Sequence, residues 1–217
     1  MGCIGDDPRR AEIASTRAFF APRAAGWEDR FPDDGPSYER AVDELEPPEG
    51  GKVLDAACGT GRALPALRAA VGPAGTVVGV DLTAEMLAEA GRRGRGAVAA
   101  LLLADAMKLP LAAGSLDAVF AAGLLPHLGD PVAGLAELAR VCRRGGRLAL
   151  FHPIGRTTLA RRHGHEPDPE DIRSVARIRE ALARTGWRCD SVDDADDRYL
   201  VLATRVPTRG VEPRLPP

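Results

Sequence analysis

The 217-residue sequence has little lysine and lacks an excess of positive charge. Two of its 29 basic residues are lysine and the other 27 are arginine. With abundant alanine, glycine and proline, this arginine excess indicates coding bias in a GC-rich bacterium. The net charge is -2 and the pI is about 6.1. A nucleic-acid-binding surface normally shows a basic footprint, so the charge argues against a nucleic-acid partner.

Long apolar runs are also missing. None approaches the roughly 20 residues that a bilayer-spanning helix needs, and no basic segment with an apolar core forms a signal peptide. Acylation of the start is not expected, because Asp6 stands where a myristoylation signal has Ser or Thr. The few cysteines lie far apart and form no C-x-x-C pair or zinc spacing: Cys3, Cys58, Cys142 and Cys189. We therefore expect a cytoplasmic protein with no membrane partner and no metal.

A glycine loop in residues 53–61, VLDAACGTG, organises the rest of the chain. The apolar run ends in an acid, a glycine turn follows, and helix-forming residues begin at Arg62. This pattern predicts a buried parallel strand, a tight loop and the start of a helix. In open α/β sheets ligands bind at the carboxyl ends of the strands. Gly59 and Gly61 allow the backbone to approach such a ligand closely.

The charge of Asp55 distinguishes two classes of ligand. A dinucleotide places its pyrophosphate on such a loop, where a carboxylate would repel it. The G-x-G-x-x-G pattern also fails, because Leu64 stands where Gly or Ala is required. A cationic ligand suits the loop better, and S-adenosylmethionine carries a sulfonium and an ammonium but no phosphate.

The VLDAACGTG stretch resembles the first motif of class I S-adenosylmethionine-dependent methyltransferases, and later motifs follow in the family's order over residues 52–151. The likeness is to the small-molecule branch that includes the ubiquinone and menaquinone biosynthesis methyltransferases. It implies an α/β fold with a Rossmann-like, doubly wound, seven-stranded sheet. This sheet is mostly parallel with a C-terminal antiparallel hairpin strand, and helices cover both faces.

The same resemblance implies a set of cofactor-binding residues. The first motif would hold the methionine end, the second motif the ribose and the third motif the adenine. The implied residues are Asp55, Ala57, Cys58, Gly59, Gly61, Asp81, Leu82, Met86, Asp105, Ala106 and Ala122. Asp81 also lies 20 residues beyond Gly61, a spacing typical of an acid that binds ribose hydroxyls. The alternatives are a helix N-cap for Asp81 and a surface acid for Asp105.

Two histidines are candidates for catalysis. His127 and His152 follow the predicted fourth and fifth strands, so both lie where the methyl group should emerge. A histidine with a pKa near neutrality suits removal of a proton from an acceptor. The alternative is that each histidine only bonds to the backbone of its loop.

Aromatic residues are scarce, yet five of the nine precede the first strand. We expect them either to form a lid over the pocket or to pack plainly onto the sheet. The resemblance favours Trp27, Phe31 and Tyr38, together with Leu125 after the fourth strand, as substrate residues. Residues 1–45 are expected to form the lid segment, 46–207 the methyltransferase domain and 208–217 a disordered tail.

Several local predictions follow from patterns of capping and turn residues. Ser37 is expected to cap a helix over residues 37–45, and residues 92–96 to form a solvated basic turn. Residues 143–146 are expected to form a turn and residues 156–171 a polar loop. His163 and His165 in that loop suggest a solvated segment more than a metal site, since no further ligand has a recognised spacing.

We therefore predict an enzyme that moves a methyl group from S-adenosylmethionine to an O, N or C atom of a small molecule by in-line displacement. The alternatives are a non-catalytic, cofactor-binding regulatory protein and a nucleotide-dependent oxidoreductase. The protein is expected to be a monomer or a homodimer.

Overall fold

The computed structural model describes residues 8–207. The predicted tail at 208–217 lies outside the described residues. Seven strands and seven α-helices alternate along most of the chain: α1 Pro8–Phe20, α2 Gly35–Leu45, β1 Lys52–Ala56, α3 Leu64–Val71, β2 Thr76–Asp81, α4 Ala84–Arg92, β3 Ala100–Leu103, β4 Leu116–Ala122, α5 Pro131–Val141, β5 Cys142–His152, α6 Arg156–Arg162, α7 Val175–Arg184, β6 Trp187–Ala195 and β7 Arg198–Arg205.

The strands form one sheet in the order β3-β2-β1-β4-β5-β7-β6. The five strands β1–β5 are parallel, and β7 runs antiparallel to both β5 and β6. The predicted fold class, including the C-terminal antiparallel hairpin strand, is confirmed. The strand order reverses between β1 and β4, and such a switch point opens a crevice at the carboxyl ends of the strands.

Two apolar cores lie against the sheet. One includes Val42 and Leu45 of α2 and Leu64 and Leu67 of α3, packed on apolar residues of β1, β2, β4 and β5. The other includes apolar residues of α5 and α7 packed on the same strands. Buried strands with helices on both faces explain why β1 and β4 appear in the sequence as continuous apolar runs.

Four local predictions were wrong. Helix α2 begins at Gly35 with Asp34 at the N-cap position, so Ser37 is not its cap. The basic turn at 92–96 is not fully solvated, because the side chain of Arg95 is only 14% exposed and pairs with Glu28. Residues 143–146 belong to β5, and the polar loop contains α6. In contrast, Asp130 caps α5 as its sequence pattern suggests, accepting from the Ala133 amide at 2.9 Å.

Candidate active site

A cavity of about 620 Å³ opens at the carboxyl ends of the parallel strands. Its wall comes from the loops after β1, β2, β3, β4 and β5, and from two segments outside the sheet, in residues 9–38 and 153–173. The register aligns the strand ends, because Ala56 pairs with Val80 and Ala122 with Phe151. Side chains distant in the sequence therefore meet in one space.

The glycine loop after β1 has the unusual backbone that its sequence predicts. Ala57, Gly59 and Gly61 all have positive φ, at 61°, 55° and 81°. A positive φ is rare for alanine and often marks a functional turn. The Cys58 amide donates to the Val80 carbonyl at 2.9 Å, which ties the loop to β2. The thiol of Cys58 is buried, and burial raises its pKa, which disfavours the reactive thiolate form.

Two acids lie beneath this loop. Asp55 is 1% exposed, and its Oδ1 has no hydrogen-bond partner among the described residues. Burial, with a smaller contribution from the charge of Asp81, raises the pKa of Asp55 to about 8. Asp55 lines the cavity, and a buried acid whose oxygen has no partner among the described residues is suited to a cationic or hydrogen-bond-donating ligand.

Asp81 shapes the loop as well as the cavity. Its Oδ2 accepts from the Gly59 amide and its Oδ1 from the Thr83 amide, both at 2.8 Å. Burial raises the pKa of this carboxyl although the two amides oppose the shift. Thr83 lies at the N-cap position of α4 without a side-chain cap. Asp81 therefore has a structural role in the loop, and it also lines the cavity together with Leu82 and Met86.

The loop after β3 contributes Asp105. Its Oδ1 accepts from the Met107 amide at 2.9 Å, and its Oδ2 accepts from Nε of Arg9 at 3.1 Å. Arg9 lies on α1, so the N-terminal helix reaches across to the carboxylate predicted to bind adenine. This contact gave no signal in the sequence.

The aromatic residues before β1 form a wall of the cavity. Phe20, Trp27, Phe31 and Tyr38 all line it, and neighbouring ring centroids lie 5.5 Å (Phe20 to Trp27) and 5.6 Å (Trp27 to Phe31) apart. Tyr38 also packs on Phe151, with centroids 5.0 Å apart. Tyr38 thus lines the cavity and packs on the sheet at the same time.

The histidines after β4 and β5 face the same cavity. His127 ends a short 3-10 helix and packs edge-on against Phe20, with centroids 4.9 Å apart. Nδ1 of His152 lies 2.8 Å from the carbonyl oxygen and 3.1 Å from the amide nitrogen of Ile154. Burial lowers the pKa of both imidazoles, and the positive charge of Arg173 lowers it further.

The segment after β5 is the part of the site that sequence reasoning missed. Helix α6 and the following residues add Leu159, Arg156 and Arg173 to the cavity wall, together with His163 and His165. All four histidines of the chain therefore line one cavity. The available sequence signal was that residues 153–173 directly follow His152, which was already predicted to lie at this edge of the sheet.

Most of the predicted site residues meet in this cavity. Those that line it are Asp55, Ala57, Cys58, Gly59, Asp81, Leu82, Met86, Asp105, Ala122, Trp27, Phe31, Tyr38, His127 and His152. Gly61, Ala106 and Leu125 are not part of its wall. Leu125 is 4% exposed in the apolar core, and Gly61 closes the loop by donating its amide to the Cys58 carbonyl at 2.7 Å.

Two features are absent from residues 8–207. No group of three or more His, Cys, Asp or Glu side chains there has a geometry that could hold a metal ion. No helix in that range has the length and apolar character needed to cross a bilayer.

A family model described as a methyltransferase domain matches residues 54–150. Nocamycin O-methyltransferase from Saccharothrix syringae is 37% identical over 123 residues, which is 55% of this chain and 44% of that protein. The ubiquinone/menaquinone biosynthesis C-methyltransferase UbiE from Burkholderia mallei is 41% identical over 104 residues, 47% of this chain and 43% of that protein. The matches thus span less than half the length of these curated relatives.

A solved structure resembles nearly the whole chain. The crystal structure of a SAM dependent methyltransferase from Aquifex aeolicus superposes with a TM-score of 0.66 and 25% identity, covering 92% of this chain and 99% of that one. The matched region contains Gly59 and Gly61 of the glycine loop, Asp81, Asp105 and His127, and it ends two residues before His152. Residues 54–150 therefore match a methyltransferase domain, and the fold of nearly the whole chain resembles that of a SAM dependent methyltransferase.

Proposed function

We propose that this protein transfers the methyl group of S-adenosylmethionine to a small-molecule acceptor by in-line displacement. The observation that carries the proposal is the buried Oδ1 of Asp55, which has no partner among the described residues and lies at the glycine loop on the cavity wall. A buried polar atom without a partner is costly. A cationic amino acid moiety would relieve that cost.

Three acids suit the proposed cofactor along its length. Asp55 with the Gly59 loop suits the methionine end, Asp81 the ribose hydroxyls and Asp105 the adenine. Three carboxylates in one crevice disfavour a pyrophosphate, which argues against the oxidoreductase alternative. The cofactor supplies a methyl group already activated by a sulfonium, so the chain has to align the acceptor and exclude water.

His152 is our candidate for the group that takes a proton from the acceptor. When Nδ1–H donates to the Ile154 carbonyl, 2.8 Å away, Nε2 keeps its lone pair. The lowered pKa keeps this imidazole neutral at physiological pH. His127, packed on Phe20, is suited to orient the acceptor against the aromatic wall.

We also propose that residues 1–45 act as a lid and 46–207 as the transferase domain. Along α1, Arg17 donates to the Leu82 carbonyl at 2.9 Å, and Glu12 accepts from the Gly129 amide. Helix α1 lines the cavity but has no buried residue. These polar contacts therefore hold the helix in place without an extensive buried apolar face. A cytoplasmic location and a small-molecule partner, with no nucleic acid or membrane, belong to the same proposal, and so does a monomer or homodimer.

Titration calorimetry with S-adenosylhomocysteine and turnover of labelled methyl groups against a bacterial metabolite extract test the proposal. We expect binding and a labelled small-molecule product. Binding without any labelled product would favour the regulatory alternative. Binding of NADH in place of S-adenosylhomocysteine would favour the oxidoreductase.

A further inference from the structure

The carboxylate of Glu28 connects the aromatic wall to the glycine loop. Its Oε1 accepts from Oγ1 of Thr60 at 2.7 Å, and Thr60 lies between the two glycines of the loop. Trp27, which immediately precedes Glu28, lines the cavity, but Glu28 itself does not. Glu28 thus reaches Thr60 of the first motif from outside the cavity wall.

Arg95 completes this connection. Its Nη1 donates to the Thr60 carbonyl at 2.6 Å and also pairs with Oε1 of Glu28, while its Nη2 donates to Oε2 of Glu28 at 3.1 Å. One guanidinium therefore binds the loop backbone and the lid carboxylate at once. The Glu28 and Arg95 side chains are only 15% and 14% exposed, so solvent screens the pair weakly.

Further contacts fasten the same part of the lid. Nη1 of Arg93 lies 3.2 Å from Oε2 of Glu28. Nη1 of Arg62, just after the loop, donates to the Phe31 carbonyl at 2.5 Å. The Glu28 side chain and the Phe31 carbonyl are thus held by arginines that follow the loop or lie in the segment behind it.

The arrangement points to a specific role, which rests on the function proposed above. We infer that Glu28 and Arg95 form a clamp that couples the position of the glycine loop to the position of Trp27, so that cofactor binding sets the acceptor wall. Both are positioning residues, because neither lines the cavity. Bound cofactor would fix the glycine loop and, with it, Thr60. Thr60 and Arg95 hydrogen-bond the Glu28 carboxylate. Glu28 in turn fixes the position of Trp27, its neighbour in the sequence.

The chain provides its own reporter for this coupling. It has two tryptophans, and Trp187 is 1% exposed in the core with its indole bonded to the Leu135 carbonyl. Quenching by acrylamide therefore reports chiefly on the half-buried Trp27. A Trp27→Phe variant checks that assignment by removing the signal.

The test compares wild type with Glu28→Gln, using S-adenosylhomocysteine as the probe. In wild type we expect the ligand to protect Trp27 from acrylamide. In Glu28→Gln we expect that protection to be lost and the affinity to fall about tenfold, because buried charge-assisted bonds to the loop are removed. Arg95→Lys keeps the positive charge but loses the second donor nitrogen that binds Glu28, so its affinity and its protection of Trp27 should lie between those of wild type and Glu28→Gln.

Arg92→Gln is the matched control from the same basic turn. Arg92 pairs with Glu89 and its side chain is 60% exposed, so its loss should change neither readout. The melting temperature, followed by circular dichroism, distinguishes the clamp from a purely structural role of Glu28. A purely structural role would lower the melting temperature of Glu28→Gln and leave the affinity and the protection unchanged. Unchanged affinity or unchanged protection in Glu28→Gln would overturn the clamp. Wild type that does not bind S-adenosylhomocysteine would instead overturn the proposed function, and the clamp with it.

Discussion

Arg9 of the N-terminal helix holds Asp105, the acid after β3, through two contacts. Nε of Arg9 lies 3.1 Å from Oδ2, and its Nη2 pairs with Oδ1. The carboxylate predicted to bind adenine is thus engaged by the lid. Since Oδ1 also accepts from the Met107 amide, three of the roughly four acceptor sites of the carboxylate are occupied, and an adenine amino group would share the acid with Arg9.

Arg9→Gln should therefore speed cofactor exchange. Without the guanidinium, Asp105 loses its contacts to Arg9, and α1 loses one of its contacts to the transferase domain. We therefore expect association and dissociation of S-adenosylhomocysteine to accelerate several-fold. Stopped-flow fluorescence of Trp27 measures both rates. Arg184→Gln is the control, because this side chain is 66% exposed on α7 and lies outside the cavity wall, so both rates should stay unchanged. Slower exchange in Arg9→Gln would contradict this account of the lid.

Asp81→Ala should weaken S-adenosylhomocysteine binding by tenfold or more. The substitution removes the acceptor proposed for the ribose and leaves the Gly59 amide without its 2.8 Å partner, so contact and loop shape are lost together. Calorimetry checks this result. Asp130→Ala is the control, since losing the α5 cap should cost about 1 kcal/mol of stability and leave affinity unchanged. Equal affinity in Asp81→Ala would remove Asp81 from the site.

The sheet and the cofactor edge were predictable because local pattern and global fold agree there. Apolar runs ending in Asp55 and Asp81 define parallel strands, and parallel strands bring their carboxyl ends to one edge.

The lid contacts and helix α6 were not predictable, for a different physical reason. Glu28 and Arg95 lie 67 residues apart in the sequence, and no local pattern encodes a pairing at that distance. Arg95 looked solvated because charged residues beside glycine normally are. Helix α6 has only seven residues and several polar ones, so tertiary contacts such as the 2.8 Å bond from the Arg156 amide to Asp194 set its start.

Binding of S-adenosylhomocysteine near neutral pH should release close to one proton. Burial holds the pKa of Asp55 at about 8 in the free protein, so the carboxyl is mostly protonated at pH 7. A bound ammonium favours the ionised form and lowers this pKa. Calorimetry in phosphate and in Tris, whose ionisation enthalpies differ, counts the protons.

Asp55→Asn is the control for that linkage, because it cannot ionise and should release no proton from this site. The free wild-type protein should also lose stability relative to Asp55→Asn as the pH rises from about 4 towards 8, since a raised carboxyl pKa favours the protonated, folded form at low pH. Proton uptake on binding would contradict the assignment of Asp55 to the cationic end.

His152→Gln should lower methyl transfer to a hydroxyl acceptor by about 100-fold, the usual contribution of a general base. In wild type, burial, aided by Arg173, lowers the His152 pKa, so kcat/KM should rise with pH through a value below 6.5 and level off near neutrality. Glutamine should abolish that rise. His127→Gln should raise KM and keep the pH limb, because His127 packs on Phe20 and is assigned only to orient the acceptor. An unchanged pH profile in His152→Gln, measured by labelled methyl transfer, would exclude His152 as the base and leave alignment as the whole of the chain's contribution.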